Sequence, residues 1–284
     1  GSFYLHNSPD PAWKPMALRY VVKDEWFHHG HEDGGHLDVA YQNRFFLMDR
    51  GRANGGAFGC SDEHILFLRL QPPAYTTPYE LGSANSYDCP QFPALQLTGR
   101  YRDQVQTWFV AEGADFVQAV HPFMWGGDAP TSNNNIPPVN MQKSERTILF
   151  LKHPTDPYAL VFDDISKDGT TAYKWRETFY TPVAPTLANP TQAPLLGNPL
   201  QQTITTGGTP ETLYMAWLHP TSGLVVSQIG GSQPANLNLD RRDPCNQTVI
   251  VGGYSYHQQY RTNVESASPQ ARDTRLFLAR GGTT

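Results

Sequence analysis

The sequence predicts an all-β protein, a large antiparallel β-sandwich (super-sandwich) with long loops. Three observations carry this expectation. Apolar residues come in short runs that alternate with polar ones and are separated by turn-forming residues. The helix signal is nearly absent. Glycine and proline, 24 of each in 284 residues, are scattered without a period, which disfavours both collagen and a helical bundle.

The elements follow in order. Leu37-Asp38-Val39-Ala40-Tyr41 alternates, Gln42-Asn43-Arg44 breaks the pattern, and Phe45-Phe46-Leu47-Met48 resumes it, which is the pattern of a hairpin. Further strands are expected at 65–68, 107–110, 147–151, 158–162, 173–175, 213–217, 224–226, 249–251 and 275–278. The stretch 181–208, rich in Pro, Thr, Gln and Asn, reads as a long internal connection. Both of its flanks carry the same strand pattern, so 1–284 is expected to form a single β-sandwich domain. Gly1-Ser2 resembles the scar of a cleaved tag, and Phe3-Tyr4-Leu5 begins in mid-pattern, so the chain reads as a piece of a longer protein.

Composition excludes several classes. Hydrophobic residues at 39% and six tryptophans argue against disorder. No apolar run approaches the roughly 18 residues of a membrane helix, and the start lacks the basic and apolar regions of a signal peptide. A formal charge of −5 supplies no general field for a polyanion, so nucleic acid is not an expected partner and an acidic ligand needs a local basic site. Cys60, Cys89 and Cys245 form neither a CxxC pair nor a disulfide framework; one bridge with a free thiol and three reduced thiols both remain open.

Chemistry concentrates between Trp26 and His36, where His28, His29, His31 and His36, four of the ten histidines, fall within nine residues. Neutral imidazoles and carboxylates are ordinary zinc ligands. His29 and His31 have the two-residue spacing that puts side chains on one side of an extended chain. A second pairing is open: if the hairpin turns at Gln42-Asn43, His36 falls opposite Asp49 and competes with His31 as a donor. A lone His-x-His reads as a solvated loop, whereas four clustered histidines with acids between them favour a metal.

These residues resemble the heparinase II/III-like polysaccharide lyases, in particular their C-terminal β-sandwich domain. The resemblance runs from about Ala17 to His64 and is sharpest in His29-Gly30-His31-Glu32-Asp33-Gly34-Gly35-His36-Leu37, which is similar to the family's HxHxDxGxF stretch. An alternating strand and Leu47-Met48-Asp49-Arg50-Gly51 follow, as in the family. A weaker echo is Glu145-Arg146 before an apolar strand, then a turn and a second strand ending in Asp163-Asp164.

The resemblance implies one structural zinc held by His31, Asp49 and His64, and a catalytic, cleft-facing His29 that assists with the substrate uronate or serves as a base. His28, standing where the family often has asparagine, and Arg50 and Arg52, following Asp49, are the substrate-binding candidates; arginines at a strand end are as readily solvated. Ile65 stands where relatives often have asparagine. The family's N-terminal α/α toroid, which supplies the catalytic tyrosine, is not read in this chain and is the expected partner domain.

The expected function is thus the C-terminal domain of a lyase that cleaves an acidic, uronate-containing polysaccharide by β-elimination, in the periplasm or outside the cell. The alternative is a non-catalytic, zinc-stabilised sandwich that binds carbohydrate or docks onto a helical domain. A cupin-type enzyme also uses HxH on a strand, but Gly35 stands about where its glutamate is expected. Tyr254, Tyr256, His257 and Tyr260 can stack on sugar rings or line ordinary strand faces. His121, His153 and His219 read as turn or surface residues.

Overall fold

The computed structural model describes residues 2–7, 12–22, 35–47, 68–71, 104–121, 123–124, 139–140, 142–166, 168–170, 172, 174–229, 249–251, 254–256 and 260–282. Every regular element among them is a β-strand. The first four, β1 (Ser2–His6), β2 (Met16–Val21), β3 (Leu37–Tyr41) and β4 (Arg44–Leu47), form an antiparallel meander in that order. After them come β5 (Leu68–Gln71), β6 (Gln104–Val110), β7 (Ala114–Val120) and the short pair β8 (Phe123–Met124) and β9 (Val139–Asn140). The long hairpin β10 (Lys143–Leu151) and β11 (Tyr158–Ser166) leads into β12 (Lys174–Thr181), β13 (Leu200–Thr206) and β14 (Thr209–His219). The chain continues through β15 (Leu224–Ile229), a ribbon of β16 (Val249–Val251) and β17 (Tyr254–Tyr256), then β18 (Tyr260–Ser266) and β19 (Arg272–Gly282).

A seven-stranded sheet, β13-β14-β19-β11-β10-β7-β6, forms one layer. It faces the meander and a second four-stranded sheet, β15-β18-β12-β5. Strict alternation makes this possible: β7 and β10 bury every second residue, as does most of β19. The buried row Val117, Ile148, Val161, Phe277 and Trp217 crosses β7, β10, β11, β19 and β14 in direct register. From the opposite layer Phe179 of β12 stands edge-on to Trp217 at 5.7 Å and to Phe277 at 6.1 Å. The meander joins the same core through Leu18, Val39 and Phe46, and through Tyr41, which lies on the backbone of Gly281.

The hairpin expected at Gln42-Asn43 forms there. Both residues are left-handed, at φ 50 and 61, the paired positive φ of a two-residue turn. Tyr41 faces Arg44 and Ala40 faces Phe45, and the register then shifts by one residue at Val39 and Leu47. The pairing that sets His36 across from Asp49 assumes an unbroken register, and the strands do not keep it.

A second difference concerns 181–208. Residues 200–206 form the edge strand β13, joined to β14 by a Gly207-Gly208 turn with φ 61 and 82. The connection proper is 182–199. It is tied to the sheet by Thr186 pairing with Gln201 and Leu195 with Trp217, and is braced internally by Asn198, whose side chain donates to the Asn189 carbonyl at 2.9 Å and accepts from its N–H at 2.8 Å. The strand was hidden because only Leu200 and Ile204 are apolar in it.

A β-carbon at Gly281 would overlap the buried Tyr41 ring, whereas one at Gly113 meets nothing within 4 Å. Gly281→Ala is therefore expected to lower stability by about 1–3 kcal/mol and Gly113→Ala to change it by less than about 0.5 kcal/mol. Urea unfolding of the two variants checks this.

Candidate functional site

The inner face of the seven-stranded sheet changes character along its length. Two residues from the row that holds Ile148, Val161 and Phe277, the same register carries Arg146, Asp163 and Arg275 on β10, β11 and β19. All three side chains are buried. Arg146 grips Asp163 with two parallel bonds, Nε to Oδ1 at 2.6 Å and Nη2 to Oδ2 at 2.7 Å. Arg275 donates to Asp273 Oδ2, to the carbonyls of Val264 and Trp175, and at 3.2 Å to Glu177 Oε2. Glu177 comes from β12 in the opposite layer, is wholly buried, and also accepts Trp217 Nε1 at 2.9 Å. Burial alone would pull the Arg146 pKa down; Asp163 beside it outweighs this and raises it.

This charged cluster meets the base of the histidine-rich segment. Arg146 Nη1 donates to the Gly35 carbonyl at 2.6 Å. Gly35, left-handed at φ 85, opens the approach to β3, and its N–H bonds the Val21 carbonyl at 2.9 Å. Segment 23–34 thus leaves from Val22 and returns at Gly35, on a closed stem. His36 follows, fully buried, with Nε2 2.7 Å from Asp38 Oδ1; Asp38 Oδ2 accepts Arg19 at 3.0 Å. Burial works against the Asp38 carboxylate, but His36 and Arg19 hold its pKa below the ordinary value. The imidazole weighed as an alternative donor beside Asp49 therefore has Asp38 as its Nε2 partner.

His28, His29, His31, Asp49, Arg50, Arg52 and His64 lie outside the described residues, as do Cys60, Cys89 and Cys245. The strand ends that flank them are described. β2 ends, β3 begins and β4 ends at the same end of the meander, so segments 23–34 and 48–67 depart together. Leu68, four residues after His64, pairs with Glu177. The stretches bearing the predicted ligands and the predicted base are thus rooted around one charged cluster. Among the described residues no three His, Cys, Asp or Glu side chains stand close enough to hold a metal.

The lone histidines separate. His153 is a turn residue, its Nδ1 accepting the N–H of Asp156 at 3.1 Å, and His219 ends β14 with Nε2 3.0 Å from Thr274 Oγ1. His121 corrects the surface expectation: it is buried, its Nε2 2.5 Å from the Tyr20 hydroxyl and its backbone N–H bonded to the Ser144 carbonyl. Tyr254 and Tyr256 lie on the ribbon strand β17. Sequence reasoning missed Glu177 and Arg275. The signal was parity: Glu177 shares the side of Trp175 and Phe179, and Arg275 that of Phe277.

The fold and the cluster define a β-sandwich with a charged cluster in its core. No protein-family profile and no curated protein matches the chain in sequence. Solved structures do match in fold. Heparan sulfate lyase HepC from Pedobacter heparinus is similar over 100% of this chain with a TM-score of 0.62 at 11% identity, and a mutant of it with 0.62 at 12%. A heparinase III gene product with methylated lysines is similar over 100% of this chain with a TM-score of 0.57 at 10% identity. The chain spans 35% of the length of each. The architecture is therefore that of a β domain found in heparan sulfate lyases, and no helix among the described residues is long and apolar enough to cross a membrane.

Removing one member of a buried ion pair strands its partner in the core. Asp163→Ala is expected to cost about 3–5 kcal/mol. Asp156→Ala, which releases the half-exposed Arg280, is expected to cost less than about 1 kcal/mol. Chemical denaturation of both variants checks the contrast.

Proposed function

We propose that this chain is the β-sandwich domain of a polysaccharide lyase that cleaves an acidic, uronate-containing polysaccharide by β-elimination. The observation that carries the reading is a coincidence of motif and fold. The segment with His28, His29 and His31 leaves from a closed stem beside a buried charged cluster, in a fold similar along the whole chain to heparan sulfate lyases. Heparan sulfate is the substrate class that those relatives' names give; for this chain the proposal is a polymer of the same chemistry.

The chemistry sets the requirements. The C5 proton of a uronate is weakly acidic, so its loss needs a nearby base and donors that neutralise the carboxylate. The electron pair from the C5–H bond forms the C4–C5 double bond, the bond from C4 to the glycosidic oxygen breaks, and that oxygen takes up a proton. His29 is the proposed base or uronate contact, with His28, Arg50 and Arg52 as donors toward the carboxylate. A helical domain joined to this one, the α/α toroid of the resemblance, is the proposed source of the remaining acid–base groups.

Two imidazoles and a carboxylate form a zinc donor set, and His31, Asp49 and His64 are the proposed ligands of one structural ion. The ion would supply a cross-link between segments 23–34 and 48–67, which start from the same end of the meander. The periplasm or the extracellular space is the proposed location. A second reading is a non-catalytic, zinc-stabilised sandwich that binds carbohydrate or docks onto a helical domain.

Ultraviolet absorbance from unsaturated uronate ends, followed on heparan sulfate, alginate and chondroitin with this chain alone and joined to its parent sequence, separates the readings. Product from either form supports the lyase; product from neither refutes it. His29→Ala is expected to abolish product without loss of zinc. His31→Ala and Asp49→Ala are expected to lose the metal, read by elemental analysis.

A further inference from the structure

Among the described residues, the buried cluster carries an odd charge. Arg146 and Arg275 contribute two positive groups, and Asp163, Asp273 and Glu177 three carboxyls, each at most 2% exposed. Ionised throughout, it would leave one uncompensated negative charge in the core, which a protein interior avoids by protonating a carboxyl.

The hydrogen bonds identify which one. Asp163 accepts Arg146 with both oxygens, at 2.6 and 2.7 Å. Asp273 Oδ2 accepts Arg275 Nη2 and Ser266 Oγ, both at 3.0 Å. Glu177 Oε2 accepts Trp217 Nε1 and Arg275 Nη1, at 2.9 and 3.2 Å. Glu177 Oε1 is buried and accepts no hydrogen bond; it stands 3.9 Å from Arg146 Nη2, the same atom that donates to Asp163 Oδ2 at 2.7 Å, which brings the two carboxyls together. Two carboxyl groups face each other favourably only when one of them carries a hydrogen.

We propose that Glu177 and Asp163 hold one proton between them in the folded protein, borne on Glu177 Oε1 and donated to Asp163, so that a proton joins the two layers of the sandwich. It leaves two positive against two negative groups and gives Oε1 a partner. Among the described residues, the charged or titratable groups facing it are Asp163 on β11, Arg146 on β10, and Arg275 and Asp273 on β19, with Tyr20 of β2 beyond Arg146. Burial pushes the Glu177 carboxyl up, Arg275 pulls it back and Asp163 pushes it up again, to about 7.

The linkage has a definite sign. The unfolded chain releases this proton at the ordinary value of 4.5, while the folded chain keeps it to about 7. The stability it contributes is full below 4.5 and is lost as pH rises through about 7. Arg146 also holds the Gly35 carbonyl, so alkaline pH, by leaving Glu177 and Asp163 both charged and both drawing on Arg146, loosens the stem of segment 23–34. The proposal rests on the packing of the two layers and makes no use of the lyase reading.

The test is urea unfolding of the full chain from about pH 5 to about pH 9, with and without Glu177→Gln, whose amide donates to Asp163 as the protonated acid does. The wild type is expected to lose stability with a slope approaching one proton as pH rises toward 7, and E177Q to lose that slope. An equal slope in both overturns the proposal. Infrared spectroscopy of the wild type needs no variant: a protonated carboxyl band in the folded protein at about pH 6, lost on unfolding, is expected. Its absence overturns the proposal even where E177Q fails to fold.

Discussion

The packing of this protein turns on one constraint: a row of charged side chains on the inner face of the large sheet has to be neutralised without water. Arg146, Asp163 and Arg275 sit side by side because three neighbouring antiparallel strands bring them into register. Their charges alternate, so the acid, Asp163, lies between two bases. The row still needs a lid, and the lid is Glu177, which reaches across from β12 and accepts both Arg275 and the indole N–H of Trp217 on the large sheet. A buried network of this kind adds little net stability over an apolar core of the same shape. What it does add is register, since a slip of one residue in β10, β11 or β19 would strand a charge in the interior.

The same network explains where the loops begin. Arg146 has more donors than Asp163 can accept, and one of them holds Gly35. Strand β5 enters beside Glu177, and β4 leaves beside the β2–β3 stem. The described ends of segment 23–34 are thus held by hydrogen bonds, Gly35 by both Val21 and the buried Arg146. His36, Asp38 and Arg19 brace the stem from the meander, while Tyr20 and His121 tie it to the large sheet.

The likeness to heparan sulfate lyases at 10–12% identity fits this picture. A sandwich needs alternation, turns and a filled core, and many sequences meet those needs. Activity rests on particular side chains at particular positions, which fold similarity alone does not transfer. The histidine segment is where that question is decided for this protein.

The sequence by itself determined the class. Alternation at 37–41 and short apolar runs at 147–151, 158–162 and 275–278 point to strands, and Gln42-Asn43 placed the β3–β4 turn where it forms. The stretch of histidines stood out from composition alone, and Arg146 and Asp163 were legible as a motif before they were a pair. What the sequence did not reveal was of two kinds. Strand β13 is polar on an edge and carries too few apolar residues to announce itself. Glu177 and Arg275 lie 98 positions apart and belong to different layers. Their parity marked them as inward-facing, but which charge would meet which depended on how two sheets stack. Local pattern fixes the direction in which a side chain points; only tertiary packing decides what it meets there, and here that meeting sets the charge of the core.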